Sequence, residues 1–245
     1  MDLVVCPQAE DVALLAARRI AERLRATPSL VLGLATGRSM EPIYAEMVRM
    51  HRQEGLCFAQ CRSFNLDEYA GLGPDHPNAY RRYMNDHLFA QVDIAMANTQ
   101  LPDGLAPDMA AEGQRYEALI REAGGIDLQL LGIGENGHVG FNEPMSAVDS
   151  RTRGIGLTPE TRHQNAGMFG GDLGRMPTRA ITMGIATILE ARELLLVATG
   201  AAKAAALAEA IYGPVSLRHP GSALRGHPRF GVIADTDAAS HLPAP

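Results

Sequence analysis

Apolar residues follow two alternating rhythms along this chain. Short segments read as strands: Leu3 to Cys6, Ser29 to Leu34, Cys61 to Leu66, Ile126 to Ile133, Ala180 to Gly184, Glu193 to Thr199 and Phe230 to Ala234, of which the apolar run Ile126 to Ile133 fits a strand covered on both faces. Between them lie segments with helical spacing. Val12, Leu15, Ala16, Ile20 and Leu24 mark one, and Tyr44, Met47 and Val48 another. A third is expected to begin near Pro77, a favoured early helical residue, and two more cover Pro107 to Ala123 and the alanine-rich Ala202 to Ile211. This alternation predicts an α/β fold with a mostly parallel, Rossmann-like sheet and helices on both faces. No internal repeat or low-complexity linker interrupts it, so residues 1–245 are expected to form a single domain.

Composition narrows the function classes. The chain is 46% hydrophobic and 20% charged, ordinary values for a globular protein able to bury a large core. Its net charge is -6 and no basic block offsets it, which argues against a nucleic-acid or membrane-surface partner. Any anion site must be local. Pro7 and Asp11 cut the N-terminal apolar run too short for a signal peptide or a spanning helix, so a cytoplasmic location is expected. Cys6, Cys57 and Cys61 make no disulfide framework, and the Cys57–Cys61 spacing lacks the second ligand pair of a zinc site. All three are expected to be reduced packing residues, and no metal is expected.

Candidate chemistry sits just past predicted strands, where ligands bind in open α/β sheets. IDLQLLGIGENGHVGFNEP, residues 126–144, runs from a strand into a glycine-broken turn that presents Glu135, Asn136, His138, Asn142 and Glu143. Within it Gly132 to Gly137 matches GxGxxG. The dinucleotide reading fails, because Pro144 interrupts the required helix and residues 151–158 supply no acid for the ribose. Three further segments share the strand-end location. Thr36, Gly37, Arg38 and Ser39 precede a helix and fit an anion site, though not a full P-loop. Asp67 and Glu68 are adjacent acids at a strand terminus, so only one need face the crevice, and a carboxylate there suits a general base. Lys203 falls in the first turn of a predicted helix, an unfavourable place for a cation unless an anion binds there. The glycine-rich stretch Gly167 to Gly174 reads as a mobile connection.

Five segments taken in order, LGLATGRSMEPIY, FNLDEYAGLGPDHPNAYRRYM, LLGIGENGHVGFNEP, SRTR and ATGAAKAAAL, resemble the glucosamine-6-phosphate deaminase family over nearly the whole chain. The 6-phosphogluconolactonases share the glycine-histidine turn but usually follow it with a Ser-Leu-Phe-Pro-like run, where this chain has Gly140 to Pro144. The resemblance implies conversion of an amino-sugar phosphate to a ketose phosphate and ammonia with no metal or organic cofactor. It implies that His138 takes the ring-opening proton with Asn136 and Glu143 orienting it, and that Asp67 enolises the substrate at C2. The phosphate is then expected on Thr36, Gly37, Arg38 and Ser39, with Lys203 as counter-charge. Some members carry aspartate where this chain has Asn136, so that residue is read as an orienter. Many carry a phosphate-binding arginine in the stretch Asn165 to Met168. Gly167 cannot serve; Arg38 either replaces that arginine in the anion loop or points into solvent from the first turn of a helix. Ile155 and Gly156 stand where allosteric hexamers carry basic residues, so no activator site is expected. A homo-oligomer remains open. The alternatives are a 6-phosphogluconolactonase, a galactosamine-6-phosphate deaminase, and a non-catalytic sugar-phosphate sensor of the kind fused to repressors. The chain's opening directly in a strand and its acidic composition favour an enzyme.

Overall fold

A computed structural model describes residues 1–243. Seven parallel strands form the central sheet in the order β1-β10-β9-β6-β2-β3-β5. They are β1 (Asp2–Cys6), β2 (Val31–Leu34), β3 (Arg62–Asn65), β5 (Thr99–Gln100), β6 (Leu128–Leu131), β9 (Leu194–Ala198) and β10 (Phe230–Asp235). Every residue of β2, β6, β9 and β10 is buried, as unbroken apolar runs require when helices cover both faces. The covering helices α1 (Ala9–Ala26), α2 (Glu41–Glu54), α4 (Met109–Glu122) and α7 (Ala204–Tyr212) turn apolar stripes inward. On α1 the stripe is Val12, Ala16, Ile20 and Leu24 with intervening alanines.

Strand order fixes where a ligand can sit. From β2 the chain crosses to β3 on one side, whereas from β6 it reaches β9 on the other, and β2 and β6 are neighbours. The connections leaving their carboxyl ends therefore diverge and leave a crevice between them.

A second, antiparallel sheet, β4-β8-β7, was not anticipated: β4 (Asp67–Tyr69), β8 (Arg179–Thr182) and β7 (Arg153–Gly156). The expected strand at Ala180 to Gly184 belongs here rather than to the parallel sheet. After β3 the chain passes through Leu66 and changes sheet, with Asp67 paired to Thr182. Helices α5 (Pro159–Asn165) and α6 (Ile185–Leu189) and the two-residue β5 also escaped the periodicity, being too short for it to register, and β7, RGIG, escaped because it has no apolar run. Helix α3 (Tyr80–His87) starts three residues beyond Pro77, because side-chain capping by Glu68 sets its N-terminus. Of the cysteines, Cys6 and Cys61 are buried, but Cys57 is exposed and donates from Sγ to Asp93 at 3.1 Å. It is not a packing residue. No described helix is long and apolar enough to cross a membrane.

Candidate active site

The crevice between β2 and β6 holds a cavity of about 380 Å³. Thr36, Gly37, Arg38, Ser39, Asp67, His138 and Lys203, all expected from the sequence, line it. Asn136 and Glu143 do not reach it. They stand behind His138, and their geometry determines what His138 can do.

Asn136 Oδ1 lies 2.6 Å from His138 Nδ1 and accepts the His138 backbone N–H at 3.2 Å. Asn136 Nδ2 donates to Glu143 Oε2 at 3.2 Å, and that oxygen is 3.9 Å from His138 Nδ1. The other carboxylate oxygen, Oε1, accepts from the backbone N–H and the hydroxyl of Thr158, which caps α5. A carboxylate only accepts, so the Asn136 amide must turn its NH2 to Glu143 and its oxygen to the imidazole. The imidazole proton then sits on Nδ1. Nε2 is left as a free base, and burial, the largest influence, holds the ring below its ordinary pKa despite the charge of Glu143. Asn142, expected on the same surface, is instead buried. It donates to Val139 and Met183 carbonyls and accepts from Arg153, tying the turn to the second sheet.

Asp67 and Glu68 divide as adjacent strand residues must. Asp67 is 5% exposed, faces the cavity, and is held well above the usual carboxylate range by burial and by the neighbouring charge of Glu68. Glu68 points the other way and accepts from the backbone N–H groups of Tyr69, Tyr80 and Arg81 at 2.8–2.9 Å. Burial pushes Glu68 up to about 7 against those three donors. The histidine turn passes directly over Asp67, since a Cβ at residue 140 would come within 3.3 Å of its Oδ2. A φ of 56° at Gly140 favours glycine there.

Lys203 lies one step before its expected position, closing a short 3-10 turn (Ala201–Lys203) and capping α7. It is half-buried, and burial depresses its pKa while Glu135 at the rim opposes this. Tyr80, Phe141, Gln164, Asn165 and Met168 also line the cavity and were missed. Tyr80 and Phe141 stack with ring centroids 5.9 Å apart, and Tyr69 bridges them to Phe169. The signal for two of them was their place inside the motifs. Gln164, Asn165 and Met168 lie on and just after a seven-residue helix that carried no readable pattern. Among the described residues, no group of three or more His, Cys, Asp or Glu side chains is arranged to hold a metal ion.

A buried carboxylate base, a neutral imidazole with a fixed tautomer, and a cationic, loop-lined end form a site for proton transfers on a small anionic molecule. A family model described as glucosamine-6-phosphate isomerases/6-phosphogluconolactonase matches residues 7–231. Glucosamine-6-phosphate deaminase of Geobacillus sp. is 47% identical over 243 residues, covering 99% of this chain and 96% of the relative. That of Hahella chejuensis is 48% identical over 242 residues, 99% and 92% of the two chains. Among solved structures, a monomeric glucosamine-6-phosphate deaminase superposes with a TM-score of 0.96 at 42% identity, covering 98% of this chain and all of the other. A 6-phosphogluconolactonase from Trypanosoma cruzi gives 0.79 at 19% identity, covering 99% and 97% of the two chains, a likeness of fold. The chain belongs to the family of glucosamine-6-phosphate isomerases and 6-phosphogluconolactonases.

Proposed function

We propose that this protein is a glucosamine-6-phosphate deaminase, converting glucosamine 6-phosphate and water to fructose 6-phosphate and ammonia. The observation that carries this reading is the pairing, in one cavity, of a buried carboxylate with a histidine whose free Nε2 is set by Asn136 and Glu143. His138 Nε2 takes the proton that must move for the pyranose to open, and Asn136 and Glu143 stabilise the resulting imidazolium. Asp67 then removes the proton from C2 of the open chain and returns it to C1. Its depressed acidity makes it the stronger base for a carbon acid. The resulting C2 imine takes up water and releases ammonia. A cavity of this size is in the range that encloses a hexose phosphate.

The phosphate is assigned to the cationic end, on the backbone of Thr36 to Ser39 with Arg38 and Lys203 as counter-charges. Support for Arg38 comes from the helix opposite: a Cβ on Gly167 would come within 3.0 Å of Arg38 Nη2, so the glycine leaves room for the guanidinium. Full-length identity of 46–48% to proteins named deaminases, against 15–20% to the lactonases, favours deamination over lactone hydrolysis. The test is release of ammonia and fructose 6-phosphate by purified protein, with Asp67→Asn lowering kcat by at least about a hundredfold. Hydrolysis of 6-phosphogluconolactone without ammonia release from the amino sugar would overturn it.

A further inference from the structure

Between β2 and α2, Thr36, Gly37, Arg38 and Ser39 line the cavity, and among the described residues none of their backbone N–H groups has an acceptor. The carbonyls of the same loop are in the opposite condition. Ala35 O accepts the Tyr44 hydroxyl at 2.5 Å. Gly37 O accepts the Tyr83 hydroxyl at 2.9 Å and the Met40 N–H at 2.9 Å. A trans peptide is planar, with C=O and N–H pointing opposite ways. Anchoring Ala35 O therefore fixes the direction of the Thr36 N–H, and anchoring Gly37 O fixes that of Arg38.

Both phenols come from helices outside the loop. Tyr44 is fully buried on α2 and Tyr83 is buried on α3, and their rings meet edge to face at 6.5 Å. Helix α3 is itself held through Glu68, which accepts from its first two N–H groups. Tyr80, one turn before Tyr83 on the same face, sits beside the Thr36 side chain. The acid next to Asp67 thus braces the helix that braces the loop. Gly37, at a φ of 115°, leaves the Gly37–Arg38 peptide free to flip unless its carbonyl is pinned. A flipped peptide would offer an anion a carbonyl oxygen instead of an N–H.

We propose that Tyr44 and Tyr83 are positioning residues that hold the Ala35–Thr36 and Gly37–Arg38 peptides with their N–H groups turned into the cavity, as a preset nest for the substrate's phosphate. This rests on the phosphate assignment above and adds the groups that keep that seat in one conformation. Neither hydroxyl lies where a proton is transferred, so losing one changes the fraction of molecules with a competent loop rather than the chemistry.

The test uses Tyr83→Phe and Tyr44→Phe, which keep the rings and delete one donor each. Inorganic phosphate affinity is measured by titration calorimetry, kcat and KM with glucosamine 6-phosphate, and folding by thermal melts. With the competent loop reduced to between a third and a tenth of the population, phosphate Kd and KM rise together by about three- to tenfold, and kcat stays within about twofold. A folded Tyr83→Phe protein with unchanged phosphate Kd and KM overturns the proposal. So does a fall in kcat at constant KM. Should Tyr44→Phe not fold, Tyr83→Phe alone decides. Tyrosine-dependent phosphate binding in a protein that releases no ammonia would sustain this inference and remove the deaminase reading, and ammonia release with tyrosine-independent phosphate affinity would do the reverse.

Discussion

Replacing Glu143 with glutamine removes one negative charge 3.9 Å from His138 Nδ1 and keeps the side chain's size. At that separation the attraction for an imidazolium is worth about 4 kcal/mol at an effective dielectric constant near 20, and about 1 kcal/mol at the bulk-water value. The buried site lies toward the first figure. With half of the proton's charge on the imidazole in the ring-opening transition state, the barrier rises by about 0.5–2 kcal/mol, a rate loss of roughly two- to thirtyfold. Geometry adds to the loss. One amide oxygen cannot serve both Asn136 Nδ2 and the Thr158 N–H, which now use separate oxygens of the carboxylate. Steady-state kcat gives the size of the effect, and ring-nitrogen NMR titration should show His138 protonating at lower pH than in the wild type. Substrate deuterated at C2 identifies the step, because its isotope effect should shrink in the variant as ring opening comes to govern turnover. A Glu143→Gln enzyme with kcat within twofold of wild type and an unmoved His138 titration would refute the relay.

Asp67→Asn should abolish most turnover and also stabilise the fold. The folded-state pKa of Asp67 lies above its unfolded value, so its stability contribution is full below the unfolded pKa and is lost as pH rises through the folded one. Urea denaturation should therefore show the variant more stable than wild type at pH 7, with the gap closing toward about pH 4. An equal gap at both pH values would contradict the burial argument. Arg38→Ala should raise KM, because a charge-assisted hydrogen bond of about 1.5–3 kcal/mol corresponds to roughly ten- to a hundredfold. Exposure of Arg38 places the effect at the lower end, and an unchanged KM would leave it a solvent-facing residue. Finally, turnover should be the same after exhaustive chelation, as a reaction carried by Asp67 and His138 requires; a loss restored by a divalent ion would rewrite the proton transfers.

The periodicity of apolar residues determined the α/β class, and the strand-end motifs marked loops that line one cavity, because both are local properties of the chain. His138, Asn136 and Glu143 fall within eight residues of one another, so a single glycine-broken turn assembles them and their proximity was legible. What the sequence left open was everything set by distant partners. Whether Asp67 or Glu68 faces the crevice depends on pairing of β4 with β8, more than a hundred residues away, and on α3 docking its N-terminus against Glu68. Thr158 completes the Glu143 contacts from the segment beyond β7, and Tyr83 pins a loop 46 residues before it. The short elements β5, α5 and α6 carry too few residues for a pattern, β7 has no apolar run, and all four are formed by packing rather than propensity. The same distinction applies to the loop after β2. Glycine and hydroxyl residues marked a loop expected to hold an anion, but its Ala35 and Gly37 carbonyls are held by tyrosines on two helices, and only the folded chain brings those helices to it.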